Sequence, residues 1–177
     1  MEMRGFVKTY RGLDFDEITE ADIHLLTSIM KRAFDEDTRI HLGEESGGPP
    51  GYDNGDFLRK YALNKDSISY KISKDGKVIG AITLWINHST HENFLGNIFI
   101  DIDMENQGVG KKVWDFVESE FPNTKIWRTE TPIFSRRNHN FYVNKCGFHV
   151  VKIENPKSVD EGYFVLEKRM DKTINNH

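Results

Sequence analysis

Cysteine is nearly absent from this chain. The single residue Cys146 leaves no internal disulfide framework and no cysteine-based zinc site, so stability must come from packing. Long apolar runs are missing too. None approaches the roughly 18 residues of a membrane span, and the N-terminal MEMRGFVKTYRG lacks the apolar core of a secretory signal. Nor is there a basic excess: 24 Lys and Arg against 28 Asp and Glu give a formal net charge of -4 and a pI near 6.0. That balance argues against a nucleic-acid partner, whose contact face usually appears as surplus positive charge. These absences point to a cytoplasmic protein with no membrane and no nucleic-acid partner, acting on something small. Repeats and low-complexity blocks are also lacking, and 177 residues suffice for one domain, expected to span 1-177.

What is present alternates between a period of two and a period of 3.6 residues. GFVKTY reads as a first strand. Thr19 with Asp22 resembles a capping box opening a helix whose apolar stripe is Ile23, Leu26, Met30, Ala33 and Phe34. The segment DEDTRIHLGEESGGPPGYDNG is polar and rich in Gly and Pro, and is expected to be a long loop before a short helix, DFLRKYAL. SISYKIS and KVIGAITLW read as an antiparallel hairpin turning at Asp75-Gly76. After the loop INHSTHEN come the strand LGNIFIDI and a helix from about Gly108 to Phe121, ended by Pro122-Asn123. KIWRTET gives another strand, Ser135 caps a helix RRNHNFYVNKC stopped by Gly147, and FHVVKIE and GYFVLEKRM close the chain before a frayed tail.

The seam DMENQGVGKK, Asp103 to Lys112, joins a strand to a helix through two glycines followed by two lysines. A helix that starts at a glycine turn presents N–H groups without intrahelical partners and a partial positive charge, which favours an anion. Glycine also permits close approach of a diphosphate to the backbone. A tight turn and a solvated lysine face would read the same way. The dinucleotide fingerprint fails because Val113 stands where a third glycine is needed, and a Walker loop fails because GVGKK has neither the spacer nor the following Ser or Thr.

The run IFIDIDMENQGVGKKVWDFVE resembles the acetyl-CoA-binding motif of the GNAT superfamily of N-acetyltransferases, and WRTETPIFSRRNHNFYVNKCGFHVV is similar to that family's later block. The resemblance implies an α/β fold over a core of about residues 5-169. It would have a mixed, mostly antiparallel sheet of about seven strands, splayed between the fourth and fifth and flanked by about four helices. It also implies acetyl transfer from acetyl-CoA, as co-substrate, directly to a primary amine of a small molecule or peptide, without a metal. A homodimer is common in such families.

On this resemblance the cofactor diphosphate lies on the N–H groups of Gln107, Gly108, Val109, Gly110, Lys111 and Lys112, and strand backbone at Phe99, Ile100 and Ile102 pairs with the pantetheine arm. The Ile100 N–H would polarise the thioester carbonyl. Asn138 resembles a CoA-contacting asparagine, though it can equally be a surface or capping residue. Tyr142 is the general-acid candidate for the departing thiolate; the alternative is a core tyrosine with a bonded hydroxyl. Two departures stand out. The family's tyrosine lies four residues before the glycine, whereas Tyr142 lies five before Gly147, an offset that matters unless the extra residue is absorbed near Asn144. Glu105 stands where the family has Gln or Arg, placing negative charge near phosphates.

Glu92, Asp101 and Glu130 are the candidate general bases, with a water chain as another route. His88 and His91 form a His-x-x-His without a third ligand nearby, so no metal site is expected. The acceptor wall should come from the first helices and their loop. There Asp35, Asp37, Tyr52 and Asp53 would suit a cationic amine, with Glu36, Glu44 and Glu45 adding charge, although such a cluster can also be a solvated face. The competing reading, which the Glu105 and Tyr142 departures support, is a catalytically idle acetyl-CoA-binding regulatory domain.

Overall fold

The structure, a computed structural model, describes residues 7–170. The start of the expected first strand (Gly5, Phe6) and the tail 171–177 lie outside the described residues.

One mixed sheet carries the chain, in the spatial order β1-β2-β3-β4-β5-β6-β8-β7. Its strands are β1 (Lys8–Tyr10), β2 (Leu13–Glu17), β3 (Ile68–Lys74), β4 (Lys77–Trp85), β5 (Glu92–Ile100), β6 (Ile126–Pro132), β7 (His149–Glu154) and β8 (Tyr163–Arg169). Every neighbouring pair is antiparallel except β5 with β6. Helices α1 (Ile23–Leu42) and α2 (Asp56–Tyr61) cover one face, while α3 (Val109–Glu120) and α4 (Arg136–His139) lie with the other. Each face has its own core. Ile18, Leu26, Met30, Leu58 and Phe99 are buried together under α1 and α2. Phe15, Ile72, Trp114, Trp127 and Phe148 are buried on the α3 side, where the Phe15 and Phe116 rings stack 3.7 Å apart.

Three elements differ from the sequence expectation. The eighth strand is β2, whose Leu13 and Phe15 alternate inward between Asp14 and Asp16. It is joined to β1 by Arg11-Gly12, both at positive φ (46° and 82°), the two-residue turn that a right-twisted hairpin favours. Helix α1 runs through DEDTRIHL, which looked like loop, and stops at Gly43 with φ 70°. Its apolar periodicity fades there because the last two turns overhang the gap in the sheet, while Glu36 pairs with Arg39 on the outside. Finally, α4 continues not as α-helix but as a π-helical stretch, Asn140–Lys145.

The gap itself lies between β5 and β6, the fourth and fifth strands of the sequence reading. Their parallel pairing covers Glu92↔Ile126 to Phe94↔Arg128 and stops there, so the remainder of β5 and β6 diverge as a wedge.

Candidate active site

The Asp101 N–H donates to Ile79 O at 2.7 Å, which sets the alternation of the β4–β5 ladder. Phe99 and Asn97 therefore turn their main-chain groups toward β4, whereas Ile98 and Ile100 turn theirs toward the wedge. A free strand edge with donors at two alternate residues faces the gap.

Beyond β5 the chain makes a 3-10 turn, Ile102–Met104, held by Asp101. One carboxylate oxygen accepts from Asp103 N at 3.1 Å and the other from Arg32 Nη2 at 2.9 Å. Asn106 (φ 60°) and Gly108 (φ 74°) then reverse the backbone into α3. Gly108 carries no capping side chain, so the N–H groups of Val109, Gly110 and Lys111 open the helix without a side-chain cap. The Lys112 N–H returns to Gly108 O at 3.2 Å. The two glycines serve different needs. At Gly108 the conformation is left-handed and a Cβ would meet nothing within 4 Å, leaving space in front of the helix. At Gly110 a Cβ would sit 3.0 Å from Phe141 Cε2, so that glycine lets α3 lie against the π-helical stretch.

Ser135 caps α4 by accepting from Asn138 N at 3.4 Å. In the π-helical stretch that follows, Cys146 N donates to Phe141 O at 2.9 Å, five residues back. A π-turn holds one residue more than an α-turn, and this accommodates the one-residue displacement of Tyr142 from Gly147. Tyr142 is 6% exposed. Burial raises its phenol pKa well above the ordinary range, with Cys146 beside it adding to the shift and the Thr129 side chain partly offsetting it. It is a protonated donor at neutral pH.

Two cavities meet at this point. The smaller, about 270 Å³, runs between β5 and the start of α3 and includes Ile100, Phe99, Gly108, Val109, Gly110 and Lys111 in its lining. The larger, about 830 Å³, lies on the α1 side of the wedge. Phe34, Asp37, Ile98, Asn138 and Tyr142 line both.

The other expected site residues are placed as follows. Ile102, Gln107 and Lys112 are not among the lining residues of either cavity, and Gln107 Nε2 donates to Asp103 O at 3.3 Å. Lys111 lines the smaller cavity while paired with Asp115. Glu92 pairs with Arg128 at 3.2 Å where β5 and β6 are still joined, far along the strand from the wedge. Asp101 is 2% exposed with both oxygens engaged. Of the three candidate bases, Glu130 alone lines the larger cavity. Asp35 accepts from Tyr52 Oη at 2.6 Å and from Gly47 N at 3.2 Å and pairs with Lys31, so this pair ties the 43–55 loop to α1; neither residue, nor Asp53, lines a cavity. Asp37 does.

Glu105 meets a partner that sequence reasoning passed over: Arg137 Nη1 donates to its Oε2 at 2.9 Å. Ile98 was also missed, although the same alternation that singles out Ile100 includes it. The donors around the smaller cavity fit a phosphate-bearing ligand: uncapped amides at Val109, Gly110 and Lys111, open space at Gly108, and the lysines 111 and 145.

No helix among the described residues is long and apolar enough to cross a membrane. Residues 25–148 match the acetyltransferase (GNAT) family. YrkN of Bacillus subtilis (strain 168), an uncharacterised protein, is 34% identical over 136 residues, covering 77% of this chain and 72% of that protein. Among solved structures, an acetyltransferase from Thermus thermophilus superposes with a TM-score of 0.71 at 14% identity, over 92% of this chain and all of that one. The spermidine N-acetyltransferase of Vibrio cholerae, in complex with CoA and spermine, gives 0.64 at 11% identity over 89% and 95% of the two chains. With its splayed β5–β6 wedge and glycine-opened α3, this chain belongs to the acetyltransferase (GNAT) family.

Proposed function

We propose that this protein transfers an acetyl group from acetyl-CoA directly to a primary amine. One observation carries the reading: the two cavities meet at Tyr142 and Ile98, with a diphosphate-type cradle on one side only. Acetyl-CoA supplies an activated thioester. The amides of Val109, Gly110 and Lys111 would hold its phosphates, assisted by the Lys111 and Lys145 side chains, and the free edge of β5 would pair with its arm.

In that arrangement the amine enters the larger cavity and its nitrogen attacks the thioester carbon as the carbon–sulfur bond breaks. The Ile98 N–H, at the junction, is better placed to polarise the carbonyl oxygen than that of Ile100, which lines only the smaller cavity. Tyr142, held protonated by its burial, gives a proton to the leaving sulfur. The acceptor sheds two protons in all: one before attack, which a carboxylate lining the larger cavity such as Asp37 or Glu130 would take directly or through water, and one after the carbon–nitrogen bond forms, which would restore the Tyr142 phenol.

A thiol-release assay with acetyl-CoA over a panel of primary amines tests this reading. Saturable CoA binding without turnover on any amine would instead identify an idle, regulatory domain, and failure to bind CoA would overturn both.

A further inference from the structure

Asp37 is held by one of its two oxygens. Ser135 Oγ donates to Oδ1 at 3.0 Å, Arg137 Nε lies 3.5 Å from the same atom, and His41 Nε2 lies 3.4 Å from it. Ser135 is the cap of α4, Arg137 lies on that helix, and His41 stands one turn beyond Asp37 on α1. Oδ2 takes no hydrogen bond from any described residue and is not among the sealed side-chain atoms, so it keeps open surface. Asp37, like Tyr142, lines both cavities, and Oδ2 is the oxygen it has available there. Glu130 has no such anchor: it is exposed, lines only the larger cavity, and forms no side-chain hydrogen bond or ion pair among the described residues.

His41 is the unexpected member of this group. Its side chain is 4% exposed, and both ring nitrogens are sealed without a hydrogen-bond partner among the described residues. Buried polar atoms normally have one. The ring is close enough to Asp37 Oδ1 for a bond but not aligned for it, and catalytic hydrogen bonds in an enzyme without substrate are often loose and tighten when substrate binds. Burial pushes the imidazole pKa below its ordinary 6.5; Asp37 acts to raise it, while Arg136, Arg137 and His139 of α4 add to the fall. At neutral pH the ring is therefore uncharged, and its N–H can hold Oδ1 without cancelling the charge of the carboxylate. Neither His41 nor Ser135 lines a cavity, so both reach the site only through Asp37.

We infer that Asp37 is the base that prepares the acceptor amine, and that His41 is a positioning residue which, with Ser135 and Arg137, holds Oδ1 so that Oδ2 faces the junction. The ammonium N–H bond breaks, its electron pair stays on nitrogen and the proton goes to Oδ2. Asp37 remains a neutral carboxylic acid while the nitrogen attacks, and returns the proton to water once the amide has left. In acid, protonation of His41 sets a full positive charge beside Oδ1 and weakens Asp37 as a base. This role of Asp37 presupposes the acetyl-transfer reading and specifies its first proton transfer.

The experiment follows thiol release against pH with benzylamine, tyramine, cadaverine and a lysine-containing peptide as acceptors. We expect Asp37→Asn to lower kcat/KM for the acceptor by about 100-fold or more at neutral pH, and to recover as the pH approaches the pKa of the amine itself, where solution supplies the neutral nucleophile. Loss of a merely structural carboxylate would not be repaired by alkali. His41→Leu should lower kcat/KM by about tenfold with acetyl-CoA affinity kept within about twofold. His41→Gln, whose amide can hold Oδ1 but does not titrate, should restore most of that loss and move the acid fall of kcat/KM to lower pH. A readout independent of turnover is the NMR titration of the His41 ring, whose pKa should fall further in Asp37→Asn because Asp37 is the group that raises it. No alkaline recovery in Asp37→Asn, or that recovery in Glu130→Gln instead, overturns the base and leaves acetyl transfer standing. Equal rates and pH profiles for the two His41 variants, or a His41 titration indifferent to Asp37→Asn, overturn the positioning role. Release of no thiol with any amine removes acetyl transfer as well.

Discussion

Arg137, in the lining of the smaller cavity, holds its Nη1 2.9 Å from Glu105 Oε2 and its Nε 3.5 Å from Asp37 Oδ1. One guanidinium therefore joins the loop that opens α3 to the overhanging end of α1. Burial raises the Glu105 carboxyl pKa above its ordinary value, while Arg137 acts in the opposite direction. The residue that seemed most at odds with phosphate binding is thus held in an ion pair.

Because that pair occupies Arg137, removing the charge of Glu105 should free the guanidinium for an anion. Glu105→Gln is expected to tighten acetyl-CoA binding by roughly 3–10-fold at low salt, with the gain shrinking as salt rises. The wild-type carboxyl carries its full charge only above its raised pKa. Wild-type affinity should therefore improve as pH falls toward that pKa, a trend the variant lacks. Titration calorimetry at two salt concentrations and several pH values measures this, and unchanged affinity would mean Glu105 does not face the phosphates.

Gly110→Ala forces a Cβ to 3.0 Å from Phe141. The overpacking should cost about 1–3 kcal/mol and lower the midpoint of thermal unfolding. Adding Phe141→Leu should restore part of the loss by yielding the space. Gly108→Ala meets no neighbour but must hold φ 74°, a strain of about 1–2 kcal/mol that no second substitution near Phe141 relieves.

Tyr142→Phe removes the proposed proton donor and little else. Turnover should fall by at least about tenfold while the dissociation constant for acetyl-CoA stays within about twofold. If kinetics and binding are both unchanged, Tyr142 is a core residue.

Tyr52 has its hydroxyl pKa pushed up to about 12 by burial and by its hydrogen bond to Asp35. A raised pKa stabilises the fold fully below the ordinary value of 10.0, and that contribution is lost as pH rises from there toward 12. Asp35 works on the acid side: burial pushes its carboxyl up, but hydrogen bonds from Lys31, Tyr52 and Gly47 outweigh it, and the net shift is downward. Its contribution is present above the ordinary 3.8 and disappears as pH falls through the lower folded value. Tyr52→Phe should therefore cost about 1–2 kcal/mol at neutral pH and lose the alkaline fall in stability, as denaturant unfolding across the alkaline range would reveal. Since Gly48, Pro49 and Pro50 of the tethered loop line the larger cavity, KM for the amine should rise more than kcat falls.

Local pattern was enough wherever an element's chemistry is its own. The β3–β4 hairpin follows from Asp75-Gly76, both at positive φ (51° and 79°), and α3 from its buried stripe of Val113, Phe116 and Val117. β2 was equally legible in the alternation of LDFDE after Arg11-Gly12 and went unread beside the stronger capping signal that follows it. The end of α1 was not legible, since its inward residues Asp37 and Thr38 face a cavity rather than a sheet and break the apolar period.

The sequence by itself determined the order of strands and helices, the glycine-opened α3 and the family, because turn conformation, apolar period and helix capping depend on near neighbours along the chain. Only the tertiary structure decided the roles of the carboxylates. Asp101 and Glu92 are held by arginines distant in sequence, Asp35 by a tyrosine across a loop, and Glu105 by Arg137, while Glu44, Glu130 and Asp160 converge on one cavity from separate segments. A carboxylate's function depends on what faces it in space, and the same side chain serves as cap, tether or binding group according to a partner that spacing along the chain does not reveal. The π-turn belongs with these, since it is the packing of Phe141 on Gly110 and of Tyr142 in the wedge that holds an extra residue in a helix.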